Sequence, residues 1–133
     1  MNDLVADFPK QLQKALLIAQ SAQLNKANNS IQNVFISGLG GSGIGGSIVA
    51  ELISQEITCP ISVNKDYFSP AYINENTLAI ICTYSGNTEE TIQVLKQCIE
   101  AKAKITVITS GGEAAQIAEK HKLDYIVLPA GFP

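Results

Sequence analysis

The sequence predicts an α/β domain in three layers: an αβα sandwich with a five-stranded parallel sheet in the middle. Three observations carry this. Strand-like runs alternate with helical ones along nearly the whole chain. "TLAIICT" is apolar without alternation, as a strand buried on both faces must be. Small and hydroxylated residues follow four of the strand-like runs, as "SGLGGSG", "TYSGNTEE", "TSGG" and "PAGFP". Open α/β sheets bind ligands at that carboxyl edge.

The elements follow in order. From Pro9 to about Gln23, apolar residues recur at Leu12, Ala15, Leu16 and Ala19, a helical spacing, and Pro9 suits a first turn. "NKANNS" is a polar break, and "NVFIS" is the first strand. After the glycines, Ile44, Ile48, Val49, Leu52 and Ile53 form a helical stripe. "ISVNK" is the second strand, "DYFSPAYINEN" a loop and "TLAIICT" the third strand. Ile92, Leu95, Lys96 and Ile99 mark a helix, "KITVIT" a strand, "GEAAQIAEKH" a short helix and "DYIVLP" the last strand. Right-handed crossovers and the common flavodoxin-like order 2-1-3-4-5 make strands one and three neighbours across the switch point. The two richest loops, "GLGGSGIGG" and "TYSGNTEET", then face one crevice.

Bulk properties bound the partners. At 133 residues, 46% apolar and 16% charged, the chain is one folded unit with one core, 1–133, on which the segment 1–30 packs as a helical arm. A net charge of −3 without a basic patch argues against nucleic acid. No apolar run approaches the ~18 residues of a membrane span, and "MNDLVADFPK" has no basic leader region, so the expected place is the cytoplasm. Cys59, Cys82 and Cys98 are odd in number, with no CxxC, so reduced thiols and no metal site are expected. All nine cations are lysines. Any anion must therefore be met by backbone amides, hydroxyls or lysine.

The glycine loop has three readings. Gly38-Leu39-Gly40-Gly41-Ser42-Gly43 fits GxGxxG, a weak dinucleotide signal that needs an acidic ribose ligand at the end of the second strand; Asp66 is a candidate, a few residues late. A triphosphate loop fails, because Gly46 stands where its lysine must be. The third reading is a phosphomonoester site. Helix N-termini offer unpaired amides and a positive dipole end, and glycines let the anion approach. Ser42 adds a hydroxyl, and Thr83, Ser85 and Thr88 repeat the device at the next helix start. Each has a plainer reading: glycines for close helix–sheet packing, and Ser85, Asn87 or Thr88 as an N-cap, with Glu90 closing a capping box from Asn87. Glu89 and Glu90 would repel a phosphate and should point aside. His121, in "EKHKLD", reads as solvated. Lys65 and Asp66 follow a strand end and could line the site, without being assigned to it.

"GLGGSGIGGS" together with "TYSGNTEET", and the run "KDYFSPAYINENTLAIICTYSGNTEETI", resemble the N-terminal sugar isomerase (SIS) domain of the bifunctional phosphoglucose/phosphomannose isomerases. The likeness runs from the first strand to the end. It implies a sugar-phosphate site in which Gly40, Gly41 and Ser42, with Thr83, Ser85 and Thr88, hold the phosphate; the family commonly has serine in place of Thr83. It implies a homodimer, no cofactor, and interconversion of glucose or mannose 6-phosphate with fructose 6-phosphate through an enediol(ate). The family's glutamate base, histidine, lysine and arginine, and its second SIS domain, lie beyond "LPAGFP". No catalytic residue is thus expected within the chain, and the fragment is expected to be inactive alone. The alternatives are a non-catalytic phosphosugar sensor and a nicotinamide dinucleotide-binding domain.

Overall fold

The structure, a computed structural model, describes residues 2–132. Its elements are α1 (Asn2–Ala6), α2 (Phe8–Ser21), β1 (Asn33–Ser37), α3 (Gly40–Leu52), β2 (Ile61–Asn64), β3 (Thr77–Cys82), α4 (Glu89–Glu100), β4 (Lys104–Thr109), α5 (Gly112–Lys120) and β5 (Asp124–Val127). The five strands form one parallel sheet in the order β2-β1-β3-β4-β5, as the sequence predicts. β1 lies between β2 and β3, so the connections out of β1 and β3 leave the same edge side by side.

The two faces of the sheet are covered unequally. On one, Phe35, Ala79, Ile81, Ile105 and Val107 pack beneath Ile92, Leu95 and Cys98 of α4 and Ala114 and Ala118 of α5. The 65–76 connection takes the place of a third helix here and brings Ile73 into that core. Gln97 of α4 pins it: its Oε1 accepts the Ser69 N–H at 2.7 Å and its Nε2 donates to the Tyr67 carbonyl at 2.9 Å.

On the other face, α3 covers only β1 and β2. It does so through glycine: a Cβ on Gly46 would lie 2.7 Å from Ile36 Cγ2. The predicted apolar stripe exists, but it looks outward, with Ile44, Ile48 and Val49 exposed and Leu52 74% exposed. The glycines face the sheet, and the bulky residues occupy the remaining sides. Beyond α3, Leu78, Ile80, Cys82, Ile108 and Ile126 on the same face are only half-buried.

The predicted N-terminal helix spans Phe8–Ser21, and neither α1 nor α2 contains a buried residue. Several contacts hold this arm, among them Asn29 Nδ2 donating to the Glu75 carbonyl at 3.3 Å. Leu128, Pro129 and Phe132 share a groove with Gln11, Ala15 and Ile18 of α2. Asp124, 5% exposed, accepts from Asn25 N–H at 2.9 Å and Asn25 Nδ2 at 2.6 Å, and from Lys104 Nζ at 2.6 Å.

Candidate functional site

Ser37, the last residue of β1, pairs with Asn64 of β2 and Ile81 of β3. The chain then turns upward through Gly38, where a Cβ would stand 3.1 Å from the Cys82 carbonyl oxygen. α3 starts without any side-chain cap. The Ser42 and Gly43 amides both point back to the Leu39 carbonyl, at 3.1 and 3.4 Å. The Gly40 and Gly41 amides have no partner of that kind, the ordinary state of a first turn.

The glycines of this turn divide by role. Gly43 and Gly46 are buried against Gly38 and Ile36, so packing accounts for them. Gly40 has φ +54°, which a side chain would strain. Gly41 needs neither excuse: its φ is ordinary and a Cβ there would meet nothing within 4 Å. Its bareness leaves room for something outside the chain. Ser42, half-buried, stands beside it.

The second loop is wired from within. Thr83, 3% exposed, accepts the Gly86 N–H at 3.2 Å and donates its own proton to Thr88 Oγ1 at 3.1 Å. Thr88 Oγ1 is thereby an acceptor inside the loop, and its own proton is free to point outward. Ser85 Oγ likewise accepts the Asn87 N–H at 3.2 Å, which leaves its proton unused. Thr88 is the N-cap residue of α4 but makes no side-chain cap bond. Ser85 is exposed and Thr88 half-buried. Thr83 sits below them as a strut.

The predicted capping box is absent. Asn87 Oδ1 accepts the Glu113 N–H of α5 at 3.0 Å instead, so the asparagine caps a neighbouring helix. Gly86, at φ +76°, packs so tightly on the third loop that a Cβ would run into the Gly111 carbonyl. Tyr84 has a role in this loop that the sequence did not signal. Its carbonyl accepts the Ser110 N–H at 3.0 Å. Its phenol donates to the Pro129 carbonyl at 2.9 Å and accepts the Phe132 N–H at 2.9 Å.

Tyr67's phenol is raised, first by loss of solvent and then by the charges of Glu89 and Glu90. Asp66, the ribose candidate, spends Oδ1 on the Tyr67 N–H at 2.7 Å. His121 is exposed at the end of α5. Burial pushes the Cys82 thiol up to about 11 and that of Cys98 to about 12, so neither is a nucleophile at neutral pH. No group of His, Cys, Asp and Glu suited to a metal ion occurs among the described residues.

An α/β sheet with a glycine loop after β1 and a hydroxyl loop after β3 is a shape that other proteins share. The SIS domain family's sequence pattern matches residues 29–130. The chain belongs to the SIS domain family. This SIS domain is 40% identical, over 98% of its length, to a bifunctional phosphoglucose/phosphomannose isomerase of Caldicellulosiruptor bescii, of which it covers 39%. With the enzyme of that name from Thermoplasma acidophilum it shares 39% identity over 77% of its length and 31% of the relative's. The SIS domain thus spans about two fifths or less of these curated relatives. Its fold is also that of the tagatose-6-phosphate ketose/aldose isomerase from Escherichia coli, with a TM-score of 0.58 at 19% identity, over 97% of this chain and 35% of that one.

Proposed function

We propose that this domain is the phosphate-binding half of an aldose–ketose isomerase that interconverts glucose or mannose 6-phosphate with fructose 6-phosphate. One observation carries the reading. At Gly41, beside two unpartnered amides and next to Ser42, the chain keeps its backbone bare where neither packing nor φ requires it. The amides of Gly40 and Gly41 and the Ser42 hydroxyl would hold one side of a phosphate. Ser85 and Thr88 would give their free protons from the other, with Thr83 holding Thr88 in place. Two positive helix ends would share the dianion, which suits a chain without arginine.

Binding and proton transfer are separate tasks here. Moving a proton between sugar carbons needs a base within hydrogen-bond reach. The chain covers 39% of the first of these relatives, and we infer that the base lies in the part of the relatives outside the matched region. We place the enzyme in the cytoplasm, where the three unpaired cysteines stay reduced, and infer a homodimer from the apolar faces left uncovered on α2 and α3.

The test is titration with fructose 6-phosphate. Ser42→Ala removes a hydrogen bond to a charged group, worth about 1.5–3 kcal/mol, and affinity should fall by about ten- to a hundredfold. Ser85→Ala should behave similarly. Unchanged affinity in both variants would sink the reading.

A further inference from the structure

We propose that Lys65 supplies the cation of this anion site, with its ammonium on the phosphate held at the start of α3; the assignment rests on the phosphate reading above. Of the nine lysines, Lys65 alone lies in a connection that leaves the carboxyl end of a strand. Lys102, Lys104, Lys120 and Lys122 gather where β4 and β5 begin, at the opposite edge.

The end of β2 fixes the position of Lys65. Asn64 is level with Ser37, and its carbonyl accepts the Gly38 N–H at 3.1 Å. The turn that follows is held by Asn64 Nδ2 on the Asp66 carbonyl at 3.0 Å and by Asp66 Oδ1 on the Tyr67 N–H at 2.7 Å. From there the Lys65 side chain runs across α3. Its Cε lies 3.2 Å from the point that a Cβ on Gly43 would occupy. Gly43 therefore serves two neighbours, the Gly38 carbonyl below and the lysine stem above. The ammonium lies one bond beyond that carbon, beside the first turn of α3 that Gly43 closes.

Among the described residues the Lys65 ammonium forms no ion pair, a state it shares with Lys14, Lys26, Lys102, Lys120 and Lys122, so its charge is unspent; what asks for an anion is its place. A cation there lies on the wrong end of a helix: the N-terminal end of the dipole is positive, and lysines favour the other end. Laying the stem over that end gains contact with bare backbone but sets like charges together. An anion between the ammonium and the amides reverses the sign of every one of these terms. In a chain without arginine, a lysine is the only side chain that can do this.

The experiment compares Lys65→Met, which keeps the length of the stem, with Lys65→Arg and Ser42→Ala. Each is titrated with inorganic phosphate and with fructose 6-phosphate at two salt concentrations, and each is melted without ligand. Lys65→Met should bind both ligands about tenfold more weakly or worse, with a flatter salt dependence. Its melting temperature without phosphate should equal or exceed that of the parent. Lys65→Arg should recover most of the affinity. Lys65→Met with parental affinity, while Ser42→Ala loses it, overturns the role of Lys65 and leaves the phosphate reading standing. A Lys65→Met protein that melts lower in parallel with its lost affinity shows a structural role and also overturns it. A parent chain that binds neither ligand overturns both.

Discussion

A methyl group on residue 41 would touch nothing within 4 Å. Gly41 is thus the position at which folding and ligand access separate. Alanine in a helical turn is favoured over glycine by roughly 0.5–1 kcal/mol. Gly41→Ala should therefore leave the melting temperature unchanged or raise it, while the methyl obstructs an anion approaching the amides. Calorimetric titration with inorganic phosphate should show affinity lowered about tenfold; parental affinity would mean that nothing docks there. The hydroxyls teach a related lesson. Thr83, Ser85 and Thr88 are alike in sequence, yet hydrogen-bond direction separates them: Thr83 spends its proton on Thr88, while Ser85 and Thr88 keep theirs. Residue type announces the capacity to donate, and only the folded loop decides where the proton goes.

At the level of the element, the strands and their order were legible because apolar runs and punctuation are local signals. The site loops were legible for the same reason: both motifs lie at strand ends. The capping box was not, since Asn87 satisfies a helix 26 residues away from its own start rather than the one it precedes. The outward aspect of α3 was also hidden. Periodicity shows that Ile44, Ile48 and Leu52 share a side, but glycine packing turns that side away from the sheet. The join between β4, β5 and the N-terminal arm makes a sharper prediction. Burial alone would raise the Asp124 carboxyl, but the bonds from Lys104 and Asn25 outweigh it and hold it below its ordinary value of 3.8. Its stabilisation is thus present above that pH and is lost as the pH falls through the lowered folded value. Asp124→Asn should cost about 3 kcal/mol at neutral pH, because Lys104 loses its buried partner. The variant should then lose less than the parent as denaturant melts are repeated toward pH 3. A variant as stable as the parent at pH 7 would show that the network carries no weight.

Across the whole molecule, one sheet face is sealed by α4, α5 and the 65–76 connection, and the other, beyond α3, is met only by the N-terminal arm on the β5 side, through α2 and through Asn25 on Asp124. Parallel sheets are ordinarily covered on both faces, and exposed apolar surface of this extent marks association. Light scattering over a concentration series should show self-association of the chain. Replacing Ile48 and Leu52 together by lysine should return it to a monomer. A parent that stays monomeric throughout would remove the support that these faces lend to a homodimer.

Tyr84 has a consequence in time as well as in space. Its backbone belongs to the hydroxyl loop, while its phenol holds the chain at Pro129 and Phe132. Phe132 in turn lines one pocket together with Leu4, Val5, Phe8 and Gln11 of the N-terminal arm. Slow opening of the arm and slow opening of the loop therefore draw on one shared hydrogen-bonded side chain. Adding phosphate should slow amide hydrogen exchange not only at Ser85–Thr88 but also at Phe132 and along α2, which no anion touches. In Tyr84→Phe the protection at the loop should remain while that of the arm disappears. Equal protection of the arm in parent and variant would show that the two regions breathe independently.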